Sequence, residues 1–289
     1  MTSKSHPCTG KVGPRKRRVR RVRRSARWYR RVFRTILAAP LMIQVLVGVV
    51  VIVASWSAAN GVYQTIRKPT ELFFPVSDAL VKSPPETWRT YGSLFNRHST
   101  AVITPEFLAA LAQVEAGGNP VARTYWRWRL TQNPFELYQP ASSAAGMYQI
   151  TDATFREAKR YCIHDHVVVE DGPWDDANSC WFNTLYTRVV PSHAIEMTAA
   201  LLDRAVARTL ERRLIHAATL QQKQNLAAVI HLCGAGSGDA YARRNFRLTA
   251  GQRCGDHDVR DYLAQFNALK RRFARLADSA SRPQLVSAQ

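Results

Sequence analysis

The stretch LAALAQVEAGGNP, residues 108–120, is an apolar run that carries a single acid and then stops at two glycines. Leu108, Leu111 and Glu115 are spaced by three or four residues, so a helix would place them on one face. Thr104 suits the N-cap of this helix, and the two glycines suit its end. The only acid of the run therefore lies in the last helical turn, beside an apolar stripe.

The position of Glu115 has two interpretations. A glutamate at a helix end is commonly turned toward solvent or paired with an arginine. A carboxyl group set against apolar side chains, at the negative end of the helix dipole, instead favours its protonated form because its charge is poorly stabilised there. Such an acid could donate a proton in a reaction. Later segments of the chain decide between the two.

Charge is concentrated at the N-terminus. The 289-residue chain has a formal net charge of +20. Residues 1–34 hold 14 Lys and Arg and no acid, which leaves 27 basic against 21 acidic residues in the rest of the chain. Membrane topology and attraction to anionic lipids explain such a tail at least as well as nucleic-acid binding does. We therefore expect a basic cytoplasmic tail at 1–34 and no nucleic-acid partner.

An uncharged segment follows the tail. Residues 36–59 are apolar and exceed the about 20 residues that a helix needs to cross a bilayer. The flanking arginines predict that the N-terminus stays in the cytoplasm and that everything after the segment is exported. We expect a single-pass signal anchor at 35–62 in a bacterial inner membrane, with the remaining chain in the periplasm. A buried soluble helix, a signal peptide cleaved near Ala59, and a twin-arginine signal at 30–33 are the alternatives.

Cysteine usage fits export. Cys8 precedes the apolar segment, whereas Cys162, Cys180, Cys233 and Cys254 follow it and form an even set. Of the three possible pairings, we favour the local ones, 162–180 and 233–254, each closing a loop of about 20 residues worth about 3 kcal/mol. A zinc site is the alternative, although no C-x-x-C pair is present. We expect no metal and no organic cofactor.

The exported part is predicted to be mostly α-helical. Residues 63–100 contain four prolines and predict a periplasmic stem, 101–270 a catalytic or binding domain, and 271–289 a flexible polar tail. Helical patterns cover 151–162, 192–214, 221–233 and 257–277.

Within the domain, residues 123–140 are rich in aromatic side chains, including Trp126 and Trp128. They could be a loop that buries its own aromatics, or the wall of a groove where flat rings stack on sugars. A nucleic-acid surface is the third interpretation, and export disfavours it.

Four sequence elements resemble the lytic transglycosylases that have a lysozyme-like soluble-transglycosylase domain. In that family the first element is a helix that ends in a catalytic Glu, together with the N-P-x-A segment that follows it. The other three elements are a G-L-M-Q-I/L segment, an A-Y-N-A-G segment and a tyrosine before the last helix. The elements occur in this order within residues 101–270. The matching positions are Glu115, Asn119, Pro120 and Ala122, then 146–150, 232–236 and Tyr262.

The resemblance implies a mostly α, lysozyme-like fold and cleavage of the MurNAc–GlcNAc β-1,4 bond of peptidoglycan. Glu115 would act first as acid and then as base, and the sugar's own C6 hydroxyl would close a 1,6-anhydro ring. Substrate-binding roles are expected for Gly146, Met147, Tyr148, Gln149 and Tyr262, with Trp126 and Trp128 as additional candidates.

The chain departs from the family pattern at several positions. Ala116 replaces the usual Ser, Gly234 replaces an Asn that helps to hold the sugar, and Tyr148 stands where Met is common. Two other functions therefore remain open. A hydrolytic muramidase or chitinase would need a second carboxylate, for which Glu136 and Asp152 are candidates. A non-catalytic glycan-binding scaffold of an envelope or secretion assembly is the other.

Overall fold

The computed structural model describes residues 33–73, 77–176 and 178–286, with side chains described up to residue 280. It is mostly helical, with 61% of residues in helices and a few short strands. The chain divides into two compact units, Met1–Val62 and Tyr63–Gln289. The predicted tail at 1–34 lies almost wholly outside the described residues, as does Cys8.

Most of one long apolar helix lies in the first unit, and its last five residues, 63–67, belong to the second. Helix α1 covers Leu41–Arg67, contains no charged residue before Arg67, and is long and apolar enough to cross a membrane. The predicted span at 36–59 thus largely coincides with a continuous helix. The polar side chain of Gln44 donates hydrogen bonds of 2.9 Å to the carbonyl oxygens of Leu37 and Ala39. This polar group is therefore satisfied within the segment itself.

Among the described residues, seven further α-helices build the second unit. Short 3₁₀ helices at Pro69–Phe73, Asp78–Leu80, Pro134–Glu136 and Trp181–Leu185 connect them. The α-helices are α2 (Pro84–Arg97), α3 (Pro105–Ala116), α4 (Asp152–Ala158), α5 (Pro191–Arg212), α6 (Leu220–Cys233), α7 (Ala235–Arg243) and α8 (Val259–Val286).

The described part of this unit also contains three antiparallel hairpins, which the sequence pattern did not predict. They are β1 (Trp126–Trp128) with β2 (Tyr138–Pro140), β3 (Tyr161–His164) with β4 (Val167–Glu170), and β5 (Arg253–Cys254) with β6 (His257–Asp258). Trp128 pairs with Tyr138 and Cys162 with Val169. The helix predicted over 151–162 is therefore too long, because its last two residues belong to β3.

Helix α3 lies at the centre of the core. Its residues 107–112 are all fully buried, so the helix is enclosed on every side rather than on one face. Phe107 packs edge-on against Phe266 of α8, with 4.9 Å between ring centroids. Thr104 caps the helix by accepting a hydrogen bond from the Phe107 amide, as predicted. The helix that carries Glu115 is thus rigidly held.

The prediction of a stem over 63–100 is wrong for its second half. Residues 84–97 form α2, whose Ser83 and Glu86 make a reciprocal capping box. Tyr91 and Phe95 of this helix are buried in the core. The prolines concealed the helical pattern, because Pro84 and Pro85 lie in the first turn of the helix, where proline is tolerated.

The prediction of an irregular tail from residue 271 is also wrong. Helix α8 continues to Val286. Phe273 is fully buried and packs at a tilt against Trp88 of α2, with 6.0 Å between ring centroids. Core packing therefore extends the helix beyond the predicted end.

The cysteine prediction agrees with the structure. The sulfur atoms of Cys162 and Cys180, and those of Cys233 and Cys254, lie at disulfide distance, with 5.4 Å between the Cα atoms of each pair. The second pair ties the end of α6 to the β5–β6 hairpin that precedes α8.

Candidate active site around Glu115

Two glycines fix the end of α3, where Glu115 lies. Gly117 and Gly118 have positive φ angles of 56° and 66°, and their amides bond back to the carbonyls of Gln113 and Ala112. A Cβ atom on Gly118 would collide with the side chain of Thr87 in α2. The chain therefore turns away immediately after the glutamate, which leaves its carboxyl group at the helix end.

The carboxyl group of Glu115 meets side chains from two other helices. The Tyr262 hydroxyl of α8 donates a 2.5 Å hydrogen bond to Oε1, and His231 Nε2 of α6 lies 3.6 Å from the same oxygen. The glutamate side chain is 16% exposed and the histidine side chain 13%. Both contacts use Oε1, so Oε2 is the oxygen that is available to a ligand.

Tyr262 can serve only as a neutral donor. Burial raises the pKa of its hydroxyl well above the ordinary value, and the nearby charge of Glu115 acts in the same direction. The hydroxyl therefore keeps its proton at any physiological pH. A hydrogen bond from a neutral hydroxyl is stronger to a charged carboxylate than to a neutral carboxyl group.

A cavity of about 320 Å³ adjoins this cluster, since His231 belongs to both. Its walls are mainly apolar, and the hydroxyl oxygen of Thr198 in the wall is buried without a hydrogen-bond partner in the structure. An unsatisfied buried hydroxyl beside a cavity is a candidate contact for a polar ligand group. The remaining lining residues include Gln149, Ile150, Thr151, Thr154, Met197, Leu201, Ile230 and Gly234.

Gly146 occupies a tight backbone turn, and its predicted role in substrate binding stays a prediction. Its φ is +80°, and a Cβ atom at this position would collide with the carbonyl oxygen of Arg188. The following Gln149, also at positive φ (47°), donates from its side chain to the carbonyls of Ala122 and Gly146 at 3.3 and 2.9 Å. Gln149 lines the cavity, and its role in binding a glycan stays a prediction.

Met147 and Tyr148 are a correction to the predicted groove. Both side chains are fully buried, and the Tyr148 hydroxyl donates to the Leu108 carbonyl of α3 at 3.2 Å. The backbone has positive φ angles on both sides of these residues, at Gly146 and Gln149, and this tight turn directs both side chains into the core. Their contribution is to position Gln149 and α3, not to form the surface of an open groove.

The two tryptophans lie in the β1–β2 hairpin. Trp126 is half-buried and donates its indole N–H to Glu71 Oε2 at 2.8 Å. Trp128 is 69% exposed and packs against Tyr138, with 4.8 Å between centroids. An internal core location is therefore wrong for Trp128. A role of either residue in stacking on sugar stays a prediction.

The candidates for a second carboxylate are engaged in ion pairs. Glu136 pairs with Arg67 and Asp152 with Arg188, each at 2.8 Å. Neither pair involves the elements that hold Glu115. Within residues 33–73, 77–176 and 178–286, no cluster of three or more His, Cys, Asp or Glu side chains could hold a metal ion.

The sequence analysis missed His231. The residue lies within the apolar run LAAVIHLC, three positions before Gly234, and such a polar interruption near the end of a buried helix was the available signal. What brings it to Glu115 is the packing of α6 beside α3, which no local pattern specifies.

No family model matches this chain, and comparisons with curated proteins and with solved structures give no significant match. The functional interpretation therefore depends on the geometry around Glu115 and on the order of the four sequence elements.

Proposed function

We propose that this protein is a membrane-anchored lytic transglycosylase that cleaves the MurNAc–GlcNAc β-1,4 bond of peptidoglycan. The observation that carries the proposal is the Glu115 carboxyl group, which ends a buried helix, accepts a hydrogen bond from Tyr262 and lies 3.6 Å from His231, a residue that also lines a cavity. The proposed fold of the domain is lysozyme-like, an inference from the family resemblance and from the mostly helical architecture.

The first step is protonation of the leaving oxygen. Glu115, as the acid, gives the proton of Oε2 to the glycosidic oxygen while the C1–O bond breaks and the sugar develops oxocarbenium character. The negative charge left on the carboxylate is stabilised by the Tyr262 hydroxyl bound at 2.5 Å. The low exposure of the site strengthens this interaction because little water competes with it.

The second step closes the ring within the product. The Glu115 carboxylate takes the proton from the C6 hydroxyl of the same sugar, and O6 forms the bond to C1. This gives 1,6-anhydro-MurNAc and returns the acid to its starting form. These two reaction steps require neither water nor a second carboxylate. This fits the observation that Glu136 and Asp152 form ion pairs elsewhere.

The proposed location is the bacterial inner membrane, with a single span, a cytoplasmic N-terminus and a periplasmic domain. Helix α1 has the length and composition of a membrane span. The basic residues before it favour a cytoplasmic N-terminus. The two cysteine pairs at disulfide distance favour an oxidising compartment for the domain.

Product analysis tests the reaction directly. The purified full-length protein is incubated with peptidoglycan sacculi, and the released muropeptides are weighed by mass spectrometry. We expect anhydro-muropeptides, which are lighter by one water than hydrolysed products. Reducing-end products alone would establish a hydrolase on this scaffold instead. Glycan binding without any released product would establish the non-catalytic scaffold.

A further inference from the structure

Residues 125–140, here called the aromatic hairpin, expose several large apolar side chains. Strands β1 and β2 form its stem, and the Arg129 amide donates to the Leu137 carbonyl at 2.8 Å to close the loop. Tyr125 is 65% exposed, Trp128 69% and Leu130 100%. Exposed apolar groups of this size in one hairpin mark an interaction surface.

The return limb of the hairpin is attached to the end of α1. Phe135 packs on Tyr63, with 5.3 Å between ring centroids, and its carbonyl accepts a 2.6 Å hydrogen bond from the Gln64 side chain. Glu136 pairs with Arg67 at 2.8 Å. The hairpin is thus bound to the residues that directly follow the apolar segment.

The base of the hairpin is bound to the next segment. Glu71, with a side chain 3% exposed, accepts from the Trp126 indole at 2.8 Å and lies 3.4 Å from Arg123 and 3.3 Å from Lys68. These contacts keep the hairpin in one orientation relative to residues 63–71.

The helical rise limits how far this attachment is from a membrane. A hydrocarbon core of about 30 Å takes about 20 residues, so a span that begins at Leu41 leaves the core near residue 60. Tyr63 then follows by about 4–5 Å along the helix axis. The headgroup layer is about 5–7 Å thick on each side. A span with this start places Tyr63, the first residue of the second unit, inside the headgroup layer.

The composition of the hairpin fits that layer. Tryptophan and tyrosine concentrate at membrane–water interfaces because their rings are apolar and their N–H or O–H groups are polar. Arg127 and Arg129 are both exposed and alternate with the apolar tip residues. Their guanidinium groups suit the phosphates of lipid headgroups.

We propose that the aromatic hairpin lies in the headgroup layer of the membrane that α1 spans, with Trp128 and Leu130 inserted toward the acyl chains. The hairpin holds the domain close to the membrane surface as a second contact beside the helix. The inference depends on the membrane span of the proposed function and is independent of the chemistry at Glu115.

Lipid-borne quenchers test this location in the full-length protein. A Cys8→Ser background receives Leu130→Cys or, as a matched control, Leu220→Cys at the exposed start of α6, and each carries an environment-sensitive fluorophore. Both are reconstituted into vesicles of zwitterionic and anionic phospholipids with nitroxide-labelled headgroup regions. We expect loss of most of the fluorescence at position 130 and little loss at position 220. Equal quenching at the two positions would overturn the proposal.

Two further results separate the possible failures. If the protein floats with the vesicles but shows no quenching at position 130, the hairpin contact is excluded and the membrane span of α1 is supported. If the fluorescence at position 130 is not quenched by the lipids but changes when soluble GlcNAc oligomers are added, the hairpin contacts glycan and not the membrane. If the protein does not float with the vesicles, both the membrane span and the hairpin contact are excluded. This outcome does not depend on the activity of Glu115.

Discussion

Glu71 and Glu115 are two largely buried carboxylates of one domain with opposite surroundings. Glu71 is enclosed by the cations of Lys68 and Arg123. Glu115 has a neutral hydroxyl donor and a histidine, and no lysine or arginine among the described residues forms an ion pair with it. A carboxylate between two cations stabilises the fold, whereas a carboxyl group bound by a neutral hydroxyl makes no such ionic contribution. We therefore expect substitution of Glu71 to affect stability and, under the proposed function, substitution of Glu115 to affect activity.

The largest expected effect is on catalysis. Replacing Glu115→Gln should lower the release of anhydro-muropeptides by about 10²–10⁴-fold, the usual contribution of a general acid. The amide still accepts the Tyr262 hydrogen bond, so the melting temperature should not change. Glu106→Gln, in the first turn of the same helix, is the matched control and should keep full activity. Equal activity of wild type and the Glu115 variant would remove Glu115 from its assigned role.

The reverse pattern is expected at the other carboxylate. Glu71→Gln removes the anion beside the buried Lys68 and the partly buried Arg123 and should cost about 3–5 kcal/mol of folding free energy. Activity per folded molecule should be preserved. The control is Glu136→Gln, whose more exposed pair with Arg67 should be worth about 0–1 kcal/mol. Thermal melting of the detergent-solubilised protein gives both values, and similar losses in the two variants would contradict the distinction.

Tyr262→Phe should produce a smaller loss of activity. It removes a hydrogen bond to a charged group, worth about 1.5–3 kcal/mol, while the ring stays packed. We therefore expect kcat to fall by about ten- to a hundredfold, with little change in KM. Tyr241→Phe, at another buried tyrosine, should leave both constants unchanged. If the two variants behaved alike, the bond to Glu115 would have no catalytic role.

A third buried carboxylate, Glu196, extends the comparison to a neighbouring histidine. It accepts hydrogen bonds from the Tyr186 hydroxyl and the Ile163 amide, at 2.8 and 3.0 Å, and lies 3.6 Å from His98 Nδ1. Burial lowers the pKa of His98 in the folded protein despite this acid. Folded His98 therefore resists a proton that the unfolded chain accepts.

The smallest expected effect follows from this difference in pKa. The stability linked to His98 is complete above its unfolded pKa of about 6.5 and is lost as the pH falls below that value, because the unfolded state then binds more protons. The melting temperature should drop between pH 7.5 and 5.5, and His98→Gln should make this drop smaller. His216→Gln, at an exposed site, should not alter it. A slope that is the same in all three proteins would exclude His98 as its source.

Local sequence patterns predicted the parts of the site that depend on local geometry. Helix periodicity, the cap at Thr104 and the glycines after Ala116 were sufficient to locate Glu115 at a helix end. The pairing of cysteines about 20 residues apart also follows from chain proximity. Composition likewise indicated α1 as a membrane span, because its length and lack of charge are properties of the segment alone.

Other features required the folded chain. Residues 84–97 and 271–286 are helical because Phe95 and Phe273 are buried in the core, and their flanking prolines and polar residues concealed this. Met147 and Tyr148 face the core because of the backbone turn at Gly146. The attachment of the aromatic hairpin to residues 63–71 joins segments that are far apart in sequence.

The sequence by itself thus determined a mostly helical domain, an apolar helix long enough to cross a membrane, two cysteine pairs and an acid at the end of a helix. Only the tertiary structure decided what surrounds that acid. Tyr262 is 147 residues from Glu115, and His231 comes from a third helix. The physical reason is that caps and periodicity act within a few turns. The partners of a buried carboxyl group are chosen instead by how whole helices pack against one another.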